Sequence, residues 1–306
     1  MKDCKITIVT PTYNRAHTLP RAYESLKKQT FKGFKWLIMD DGSTDNTEEL
    51  VKEFQTENLV DIEYRRNQNS KKFYTVFKAI ESVKTDYFTV LDSDDAYVEN
   101  ALELMFEAVK NLNEEFISAT FHSQFPDGKI VGTSFPENLD GSILEMRYKY
   151  KVRGDKHTVF ITQPYLKYLS KFDYEFYKGK YAPQKIFYQI YDGDGMKSRF
   201  VNQIVRIYYQ DLNDGDSMSA DRIKPSSYLG LRNGHLSFLN SYGIQLWHYP
   251  IPLLRNLVGY QLYSHLLKIN LKNSTLQITN KSHRILSVLI FPFSYLLLLQ
   301  KEKQLR

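Results

Sequence analysis

Cysteine is almost absent from this chain of 306 residues, which contains Cys4 and no other. A single cysteine cannot build a disulfide framework or a cysteine-based zinc site, and such scarcity is typical of proteins of a reducing compartment. The seven histidines include no His-x-x-x-His pair, so we interpret them as packing or surface residues rather than ligands. These absences exclude a disulfide-stabilised domain and a cysteine-rich metal site.

A secretory signal is also missing, because Met1-Lys2-Asp3 leads directly into residues that favour a β-strand. We therefore expect a cytoplasmic protein. The composition is 42% hydrophobic and 14% aromatic, which excludes a disordered chain. The length suits one large α/β domain, or a domain of roughly 200 residues with an appendage.

The apolar stretch 285–299 is too short to span a membrane. It has fifteen residues and contains Pro292, whereas a spanning helix needs about 20 apolar residues. Cations flank the stretch on both sides, namely Lys281, Arg284, Lys301, Lys303 and Arg306. Such a segment is typical of a helix that lies in the interface of an anionic leaflet. The alternative is a hydrophobic helix that docks on the protein body.

Positive charge is concentrated at the C-terminal end. The whole chain carries a net charge of +6, and residues 220–306 contain eleven Lys or Arg against two acidic residues. A basic tail on a slightly acidic body favours an anionic partner for the tail. The tail is rich in Leu and Tyr and shows no nucleic-acid-binding motif. We therefore predict peripheral binding to the inner face of the cell membrane and no binding of nucleic acid.

Strands and helices alternate in the first 91 residues. Short β-branched runs predict four strands, and apolar residues at helical spacing predict three helices between them. This alternation predicts a mainly parallel sheet with right-handed crossovers. The predicted strands are 5–10, 34–39, 60–64 and 87–91, and the third helix is 72–82.

The remaining residues are less regular. A helix is predicted over 98–110, followed by a hairpin of 116–122 with 129–133 around Pro126-Asp127-Gly128. Residues 157–162 and 203–209 resemble strands, and 184–191 a helix. From Pro225 onward the pattern is helical, with a broad apolar face over 251–268.

Three carboxylates follow the fourth predicted strand, in Asp92-Ser93-Asp94-Asp95. A buried strand that runs into an acid cluster is costly unless a cation meets it there. Ligands of open α/β sheets gather at the carboxyl ends of strands. The pattern predicts that Asp92 and Asp94 hold a divalent metal on a phosphate ligand. A solvated turn that caps the next helix is the alternative.

Two further polar loops follow strands, Thr10-Pro11-Thr12-Tyr13-Asn14-Arg15 and Asp40-Asp41-Gly42-Ser43-Thr44-Asp45. With the acid cluster, in this order and spacing, they resemble the inverting glycosyltransferases of family 2. The resemblance implies the glycosyltransferase A fold, a mixed, mainly parallel nucleotide-diphospho-sugar-binding sheet flanked by helices. We expect this domain over residues 1–219, with a donor half 1–110 and an acceptor half 111–219, and a helical extension over 220–306.

The resemblance also implies roles for single residues of the donor half. Pro11 and Tyr13 frame the nucleotide base, and Arg15 lies near the ligand. Asp41 accepts a hydrogen bond from the uracil imide. Alternatively, Tyr13 and Arg15 are ordinary surface residues of a turn and a helix start.

A second group of residues is implied to bind the donor diphosphate. Asn69-Ser70-Lys71-Lys72 matches a family stretch that usually reads Asn-Gly-Gly-Lys, which places Lys72 where a cation offsets the phosphates. Asp92 and Asp94 correspond to the family's metal-binding pair. Oxygen ligands of this kind suit Mg²⁺ or Mn²⁺, which would neutralise the departing nucleotide diphosphate.

The chain departs from the family pattern at the expected general base. Many bacterial relatives carry Gly-Glu-Lys-Phe-x-Pro-Glu, and this chain has Gln184 in place of the last glutamate. A glutamine cannot accept a proton at neutral pH. We favour Glu175 as the base, and the alternatives are Asp155, Asp173, Asp192 and Asp194.

These residues predict a metal-dependent transferase that moves a sugar from a UDP-sugar to a saccharide or lipid-linked saccharide in cell-surface polysaccharide synthesis. The missing glutamate leaves open a catalytically impaired protein that only binds sugar nucleotides. A nucleotidyltransferase of related fold is disfavoured, because those enzymes place a glycine-rich loop after the first strand and this chain has no glycine before Gly33.

Overall fold

The computed structural model describes residues 4–210 and 224–296. Contacts group the chain into two units. The first runs to Gly179 and includes the segment that starts at Met196, and the second combines Lys180–Gly195 with the C-terminal helices. The predicted boundary at residue 219 falls outside the described residues, so the division 1–219 and 220–306 stays a prediction.

The first unit contains a nine-stranded mixed sheet. Its strands follow the order β3-β2-β1-β4-β8-β6-β9-β5, and β7 pairs with β9. The first four of these are mutually parallel, whereas β8 is antiparallel to both its neighbours. The bounds are β1 (Ile6–Thr12), β2 (Phe34–Asp40), β3 (Ile62–Arg66), β4 (Tyr87–Val90), β5 (Ala96–Tyr97), β6 (Phe116–Gln124), β7 (Leu139–Gly141), β8 (Lys156–Ile161) and β9 (Lys197–Ile207).

Helices flank this sheet and bury their apolar faces against it. Trp36 of β2 is fully buried and stacks against Tyr23 and Phe54, which come from two different helices. The helices are α1 (Leu19–Lys27), α2 (Thr47–Glu57), α3 (Lys72–Glu81), α4 (Ala101–Val109), α5 (Ile143–Tyr148) and α6 (Thr162–Leu169), with a 3₁₀ turn at Glu175–Tyr177. The expected fold, a mixed and mainly parallel sheet between helices, is confirmed.

The predicted hairpin is wrong in its second arm. Residues 129–133 form no strand and make a single bridge between Gln124 and Ile130. Gly132 has a φ of +82°, which breaks an extended run. The Nζ of Lys156 donates instead to the carbonyl oxygens of Val131 and Thr133, at 3.0 and 2.7 Å. The predicted strand 203–209 is the second half of the longer β9.

The second unit is helical throughout its described residues. Its helices are α7 (Lys185–Gly193), α8 (Tyr228–Tyr242), α9 (Pro250–Leu266), α10 (Leu271–Leu276) and α11 (Lys281–Leu289), with 3₁₀ turns at Pro225–Ser227 and Gly243–His248. Residues 291–296 are again helical. The predicted helical C-terminal region is confirmed. None of the described helices combines the length and the apolar character that crossing a membrane requires.

Glycine allows α7 and α8 to approach closely. A Cβ added at Gly193 would lie 2.3 Å from the carbonyl oxygen of Ser241 in α8. A Cβ at Gly230 of α8 would lie 2.1 Å from the carbonyl oxygen of Tyr181. Both distances are shorter than any ordinary contact, so a side chain at Gly193 would push α7 from α8, and one at Gly230 would push α8 from the segment before α7.

Candidate active site

The polar loops that follow β1, β2 and β4 lie along one edge of the sheet. β1 is the central strand of the three, pairing in parallel register with β2 up to Thr12 and Asp40, and with β4 up to Val9 and Val90. The backbone N–H of Asp41 donates to the carbonyl oxygen of Thr12 at 2.8 Å. Because the carboxyl ends of parallel neighbours meet at one edge, the three loops form one surface.

The loop after β1 is fixed to the loop after β2. Asn14 has a φ of +53°, and its backbone N–H donates to Ser43 Oγ at 2.9 Å. The backbone N–H of Thr44 donates back to Asn14 Oδ1 at 2.8 Å. Of the predicted base-framing residues, Pro11 is buried within β1, whereas the Tyr13 side chain is 37% exposed on the loop. A tyrosine with one free face can stack on a planar base.

Asp41 is buried and holds the start of α3. Its Oδ1 accepts hydrogen bonds from the Ser70 backbone N–H at 2.8 Å, from Asn67 Nδ2 at 2.9 Å and from Thr75 Oγ1 at 2.6 Å. Within the described residues, Oδ2 of Asp41 accepts none. One oxygen therefore organises the loop, and the other stays available to a donor such as an imide N–H.

Lys72 is the first residue of α3 and reaches the acid cluster. Its Nζ lies 2.7 Å from Asp92 Oδ1. Burial opposes the charge on Lys72, but the neighbouring carboxylates, Asp92 first, raise the pKa of the ammonium above its ordinary value. Burial likewise opposes ionisation of Asp92, but Lys72 keeps the pKa of this carboxyl below its usual range. The structure thus brings together the predicted phosphate-facing cation and a predicted metal ligand.

The backbone just before Lys72 is strained. Lys71 has a φ of +72° and a ψ of 145°, a region that favours glycine. This is one of the two positions at which the related family stretch carries glycine. The strain therefore lies in the turn that presents Lys72 to Asp92.

Oxygens of Asp92, Asp94 and Asp95 lie within 4.8 Å of one another. Burial and the charge of Asp92 raise the pKa of the Asp94 carboxyl. Burial raises the pKa of Asp95 to about 7, although a neighbouring arginine works against this rise. Burial thus opposes ionisation of Asp94 and Asp95 even with Lys72 beside the cluster.

The arginine is Arg206 of β9, whose side chain is buried. Its Nη1 lies 3.2 Å from Asp95 Oδ2, and its Nη2 donates to Asp155 Oδ2 at 2.6 Å. The other Asp95 oxygen accepts the backbone N–H of Tyr209 at 3.0 Å. Asp95 is thus held inside the protein, and Asp155 is paired with a cation. Arg206 was not anticipated from the sequence, where an arginine inside a strand was the only available signal.

Arg21 of α1 adds a second support to the cluster. Its Nη1 donates to the carbonyl oxygen of Asp94 at 2.5 Å, and its guanidinium lies 3.8 Å from the centroid of the Tyr209 ring. This contact holds the backbone of the acid loop and leaves the Asp94 carboxylate itself unbound by Arg21.

Asp92 and Asp94 fit a hard divalent cation. Carboxylate oxygens are the preferred protein ligands of Mg²⁺ and Mn²⁺. Burial, and after it the charge of Asp92, raises the pKa of Asp94, and a bound cation would oppose both effects. Asp95 Oδ1 accepts the Tyr209 N–H, and Asp95 Oδ2 faces Arg206 at 3.2 Å without a hydrogen bond, so Asp95 is turned toward the protein interior. Asp92 and Asp94, which are only half-buried, are therefore the carboxylates that would hold the ion.

The candidate bases lie in different surroundings. Glu175 is exposed, and its Oε1 accepts the hydroxyl of Tyr74 in the first turn of α3 at 3.2 Å. Asp173 accepts the backbone N–H of Phe176 at 3.1 Å and caps the 3₁₀ turn. Gln184, exposed just before α7, belongs to the second unit. Glu175 is therefore anchored to the same end of α3 as Lys72.

Comparison with known proteins identifies the family. The family model described as "Glycosyl transferase family 2" matches residues 7–175, more than half of the chain. The chain belongs to glycosyltransferase family 2. The matched range includes the three polar loops, Lys72 and Glu175.

Curated relatives share this region at low identity. A Rickettsia bellii "uncharacterized glycosyltransferase" is 24% identical over 144 residues, which are 47% of this chain and 21% of that protein. GlyG of Streptococcus pneumoniae is 29% identical over 119 residues, 39% of each chain. WfgD of Escherichia coli, a UDP-Glc:alpha-D-GlcNAc-diphosphoundecaprenol beta-1,3-glucosyltransferase, is 29% identical over 123 residues, 40% of this chain and 47% of that protein. The matches span less than half the length of these relatives.

Solved structures share the fold over nearly the whole chain. Residues 1–349 of TarS from S. aureus, in complex with UDP-GlcNAc, align with a TM-score of 0.60 at 18% identity, covering 95% of this chain and 91% of that one. PcManGT of Pyrobaculum calidifontis, in complex with GDP-Man and Mn²⁺, aligns with a TM-score of 0.56 at 14% identity, covering 96% and 87%. Both bind nucleotide sugars, and at these identities they establish the fold of this glycosyltransferase.

Proposed function

We propose that this family 2 glycosyltransferase transfers a sugar from a UDP-sugar to a saccharide or lipid-linked saccharide, with inversion at the anomeric carbon. The observation that carries the proposal is one surface at the carboxyl end of the sheet. The start of α3 links the two ends of this surface, because Asp41 binds Ser70 and Thr75 while Lys72 pairs with Asp92. The second oxygen of Asp41 accepts no hydrogen bond from the described residues. A base-binding group and a phosphate-binding group are thus held by one short segment.

The donor base would lie between the first two loops. Tyr13 is 37% exposed on the loop, and Pro11 fixes the backbone just before the end of β1. Oδ2 of Asp41 would accept the imide N–H of uracil. Arg15, half-buried beside these residues, would lie near the nucleotide. An acceptor oxygen suits a base with a ring N–H, such as uracil, rather than adenine or cytosine, whose ring nitrogens carry no hydrogen in a nucleotide.

The donor diphosphate would lie over the acid cluster. Asp92 and Asp94 would hold Mn²⁺ or Mg²⁺, which when bound supplies positive charge to the departing nucleoside diphosphate. Lys72 would contribute a second positive charge on the same side. Arg206 and Arg21 act behind the site, where they hold Asp95 and the Asp94 backbone in place.

Inversion requires a base that removes the acceptor hydroxyl proton. We propose Glu175, because Tyr74 ties it to the end of α3 that carries Lys72. Asp155 and Asp173 are less suited, since the first pairs with Arg206 and the second caps a turn. The base takes the proton of the acceptor hydroxyl while the acceptor oxygen bonds to the anomeric carbon from the face opposite the diphosphate. The bond from that carbon to the diphosphate breaks, UDP leaves, and the configuration is inverted.

We further propose that the acceptor is lipid-linked and that the enzyme is peripheral on the inner face of the cell membrane. The basic C-terminal region supports this, and the related E. coli enzyme is named for a diphosphoundecaprenol acceptor. Truncation after residue 296 removes Lys301, Lys303 and Arg306. It should weaken sedimentation with anionic vesicles, and unchanged sedimentation in low and raised salt would oppose this part of the proposal.

A screen of UDP-sugars tests the proposed reaction. We expect Mn²⁺-dependent release of UDP from at least one of them, and loss of that activity in Asp94→Asn. The matched control is Asp61→Asn, an exposed acid that immediately precedes β3 at the opposite edge of the sheet, which should keep parental activity. If no donor is turned over although the parent binds UDP, the protein is a sugar-nucleotide-binding protein, the alternative that Gln184 suggested. GDP-sugar turnover without UDP-sugar turnover would contradict the uridine assignment.

A further inference from the structure

The helical residues 281–296 bury their polar side chains and expose their apolar ones. Along residues 281–296 the fully buried positions are His283, Ser287 and Ser294. The large exposed apolar side chains of the same segment recur at helical spacing, at Ile285, Val288, Leu289, Phe293 and Leu296, which are 47–67% exposed. In water the opposite arrangement is favoured, with apolar groups inside and polar groups outside.

The polar inner face is anchored by specific contacts. Gln261 Nε2 of α9 donates to Ser287 Oγ at 2.6 Å, and the His265 ring lies 4.6 Å from that of Phe291. Half-buried Leu286 and Ile290 fill the space between these contacts. These contacts fix the rotation of the helix about its axis, with the polar side chains facing α9 and the apolar ones facing outward.

A second exposed apolar row lies beside the first. Ile244, Trp247, Ile251 and Leu254 are 74%, 48%, 70% and 41% exposed, at spacings of three or four residues. The rings of Trp247 and His283 are 5.5 Å apart, so the second row reaches the start of α11 at its buried histidine. We call the two rows together the apolar face.

Charge around the apolar face has one sign. Residues 224–296 contain seven Lys or Arg and no Asp or Glu. Lys281 and Arg284 precede the first row, and Arg255 follows the second. A second copy of this surface would bring like charges together, whereas an anionic lipid surface would pair with them. An apolar face bordered by cations is the pattern of a helix pair that lies in the membrane interface.

We infer that the apolar face of the second unit inserts into an anionic lipid surface, and that the row from Ile244 to Leu254 takes part as well as residues 285–296. The inference deepens the proposed function, on which it rests for the lipid-linked acceptor. Trp247 would lie at the level of the headgroups, where tryptophan is favoured. The side chains that look misplaced in water would then be covered by lipid.

Tryptophan fluorescence tests this directly, because the two tryptophans report separately. Trp36 is fully buried in the first unit, and Trp247 is 48% exposed on the apolar face. Vesicles of phosphatidylglycerol with brominated phosphatidylcholine should quench Trp247 in the full chain, and Trp247→Phe should abolish the quenching. Vesicles of brominated phosphatidylcholine alone should quench much less.

Three single variants locate the contact. Ile251→Glu and Leu289→Glu change one residue in each row, and each should weaken vesicle binding about tenfold or more. Each replaces an apolar side chain that would enter the lipid with a negative charge that the anionic surface repels. Leu59→Glu is the matched control, because Leu59 is 64% exposed in the first unit. It should bind vesicles as the parent does. All three positions are exposed, so unfolding temperatures should stay close to that of the parent.

The outcomes separate this inference from the proposed transferase. Loss of vesicle binding in Leu289→Glu but not in Ile251→Glu would refute the role of the second row. No quenching, together with a dimer in solution that both variants dissociate, would make the face an interface between copies. Binding of UDP with Mn²⁺, measured on the same samples, should be unchanged in all variants. If the parent failed to bind UDP with Mn²⁺, the proposed donor site would be refuted and the vesicle result would still stand.

Discussion

Replacement of Arg206 by glutamine removes the cation that holds Asp95 within the protein. The Arg206 and Asp95 side chains are 5% and 1% exposed, and their facing atoms lie 3.2 Å apart. Removal of one partner of a buried ion pair leaves an uncompensated charge and typically costs 3–5 kcal/mol. We therefore expect Arg206→Gln to lower the free energy of unfolding by about 3–5 kcal/mol at pH 8.

The loss should depend on pH in a defined direction. Burial raises the pKa of Asp95 to about 7, whereas an unfolded chain gives Asp a pKa of about 4. The native state therefore binds this proton more tightly, and the group lowers stability as the pH rises from about 4 to about 7. Without Arg206 the pKa of Asp95 rises further. Near pH 5 both proteins hold Asp95 neutral, so the loss should be smaller than at pH 8 by about 1 kcal/mol, the free energy of one pH unit above the pKa.

Urea unfolding followed by Trp36 fluorescence measures this loss. A Trp247→Phe background restricts the signal to the first unit, which avoids mixing two transitions. Arg199→Gln is the matched control on the same strand, because Arg199 pairs with Asp140 at 2.9 Å on the surface, and it should cost less than about 1 kcal/mol. An Arg206→Gln loss no larger than that of the control at pH 8, or equal at pH 5 and pH 8, would refute the reasoning.

Three further predictions concern the donor site. Thr75→Val removes the 2.6 Å hydrogen bond to Asp41, so the free energy of unfolding should fall by about 1–3 kcal/mol and UDP should bind more weakly. Calorimetric titration measures the UDP affinity, and a parental value would oppose a role of α3 in base binding. Lys71→Gly relieves a positive φ, so thermal unfolding should show a gain in stability of about 1 kcal/mol. Lys28→Gly is the control, because Lys28 has a φ of −83°, and it should lower the stability. Glu175→Gln should lower turnover by about 10²–10⁴-fold and leave the UDP affinity unchanged. Asp173→Asn should keep the parental turnover. Parental turnover in Glu175→Gln would assign the base to another residue.

The donor half of the site followed from the sequence because its parts are local. Each polar loop directly follows a strand, and parallel neighbours must end at one edge, so the approach of the loops needs no long-range information. The contact between Lys72 and Asp92 was not itself predicted, because Lys72 was placed near the diphosphate only through the resemblance. The resemblance to family 2 added roles that spacing alone does not provide.

The supporting cations could not be predicted in this way. Arg206 meets Asp95 only because β5 pairs with β9, a contact between positions more than a hundred residues apart. Nothing in the local pattern around Arg206 specifies that pairing. The second arm of the hairpin failed for a related reason, since Lys156 of β8 captures the carbonyl oxygens that a strand would need.

The apolar face shows a third limit of sequence patterns. Helical spacing identifies that residues 285–296 have an apolar side, but not which side faces the protein. The usual assumption would turn Leu289 inward. Contacts with α9 instead select Ser287 for the interior, so the surface is visible only in the structure.

The most direct test of the donor site is the position of Mn²⁺ in crystals grown with UDP. We expect an anomalous peak between the carboxylates of Asp92 and Asp94 and next to the diphosphate. The uracil imide should face Asp41, and Asp95 should remain paired with Arg206. A peak held by Asp95, or UDP bound away from the loops that follow β1, β2 and β4, would contradict the account.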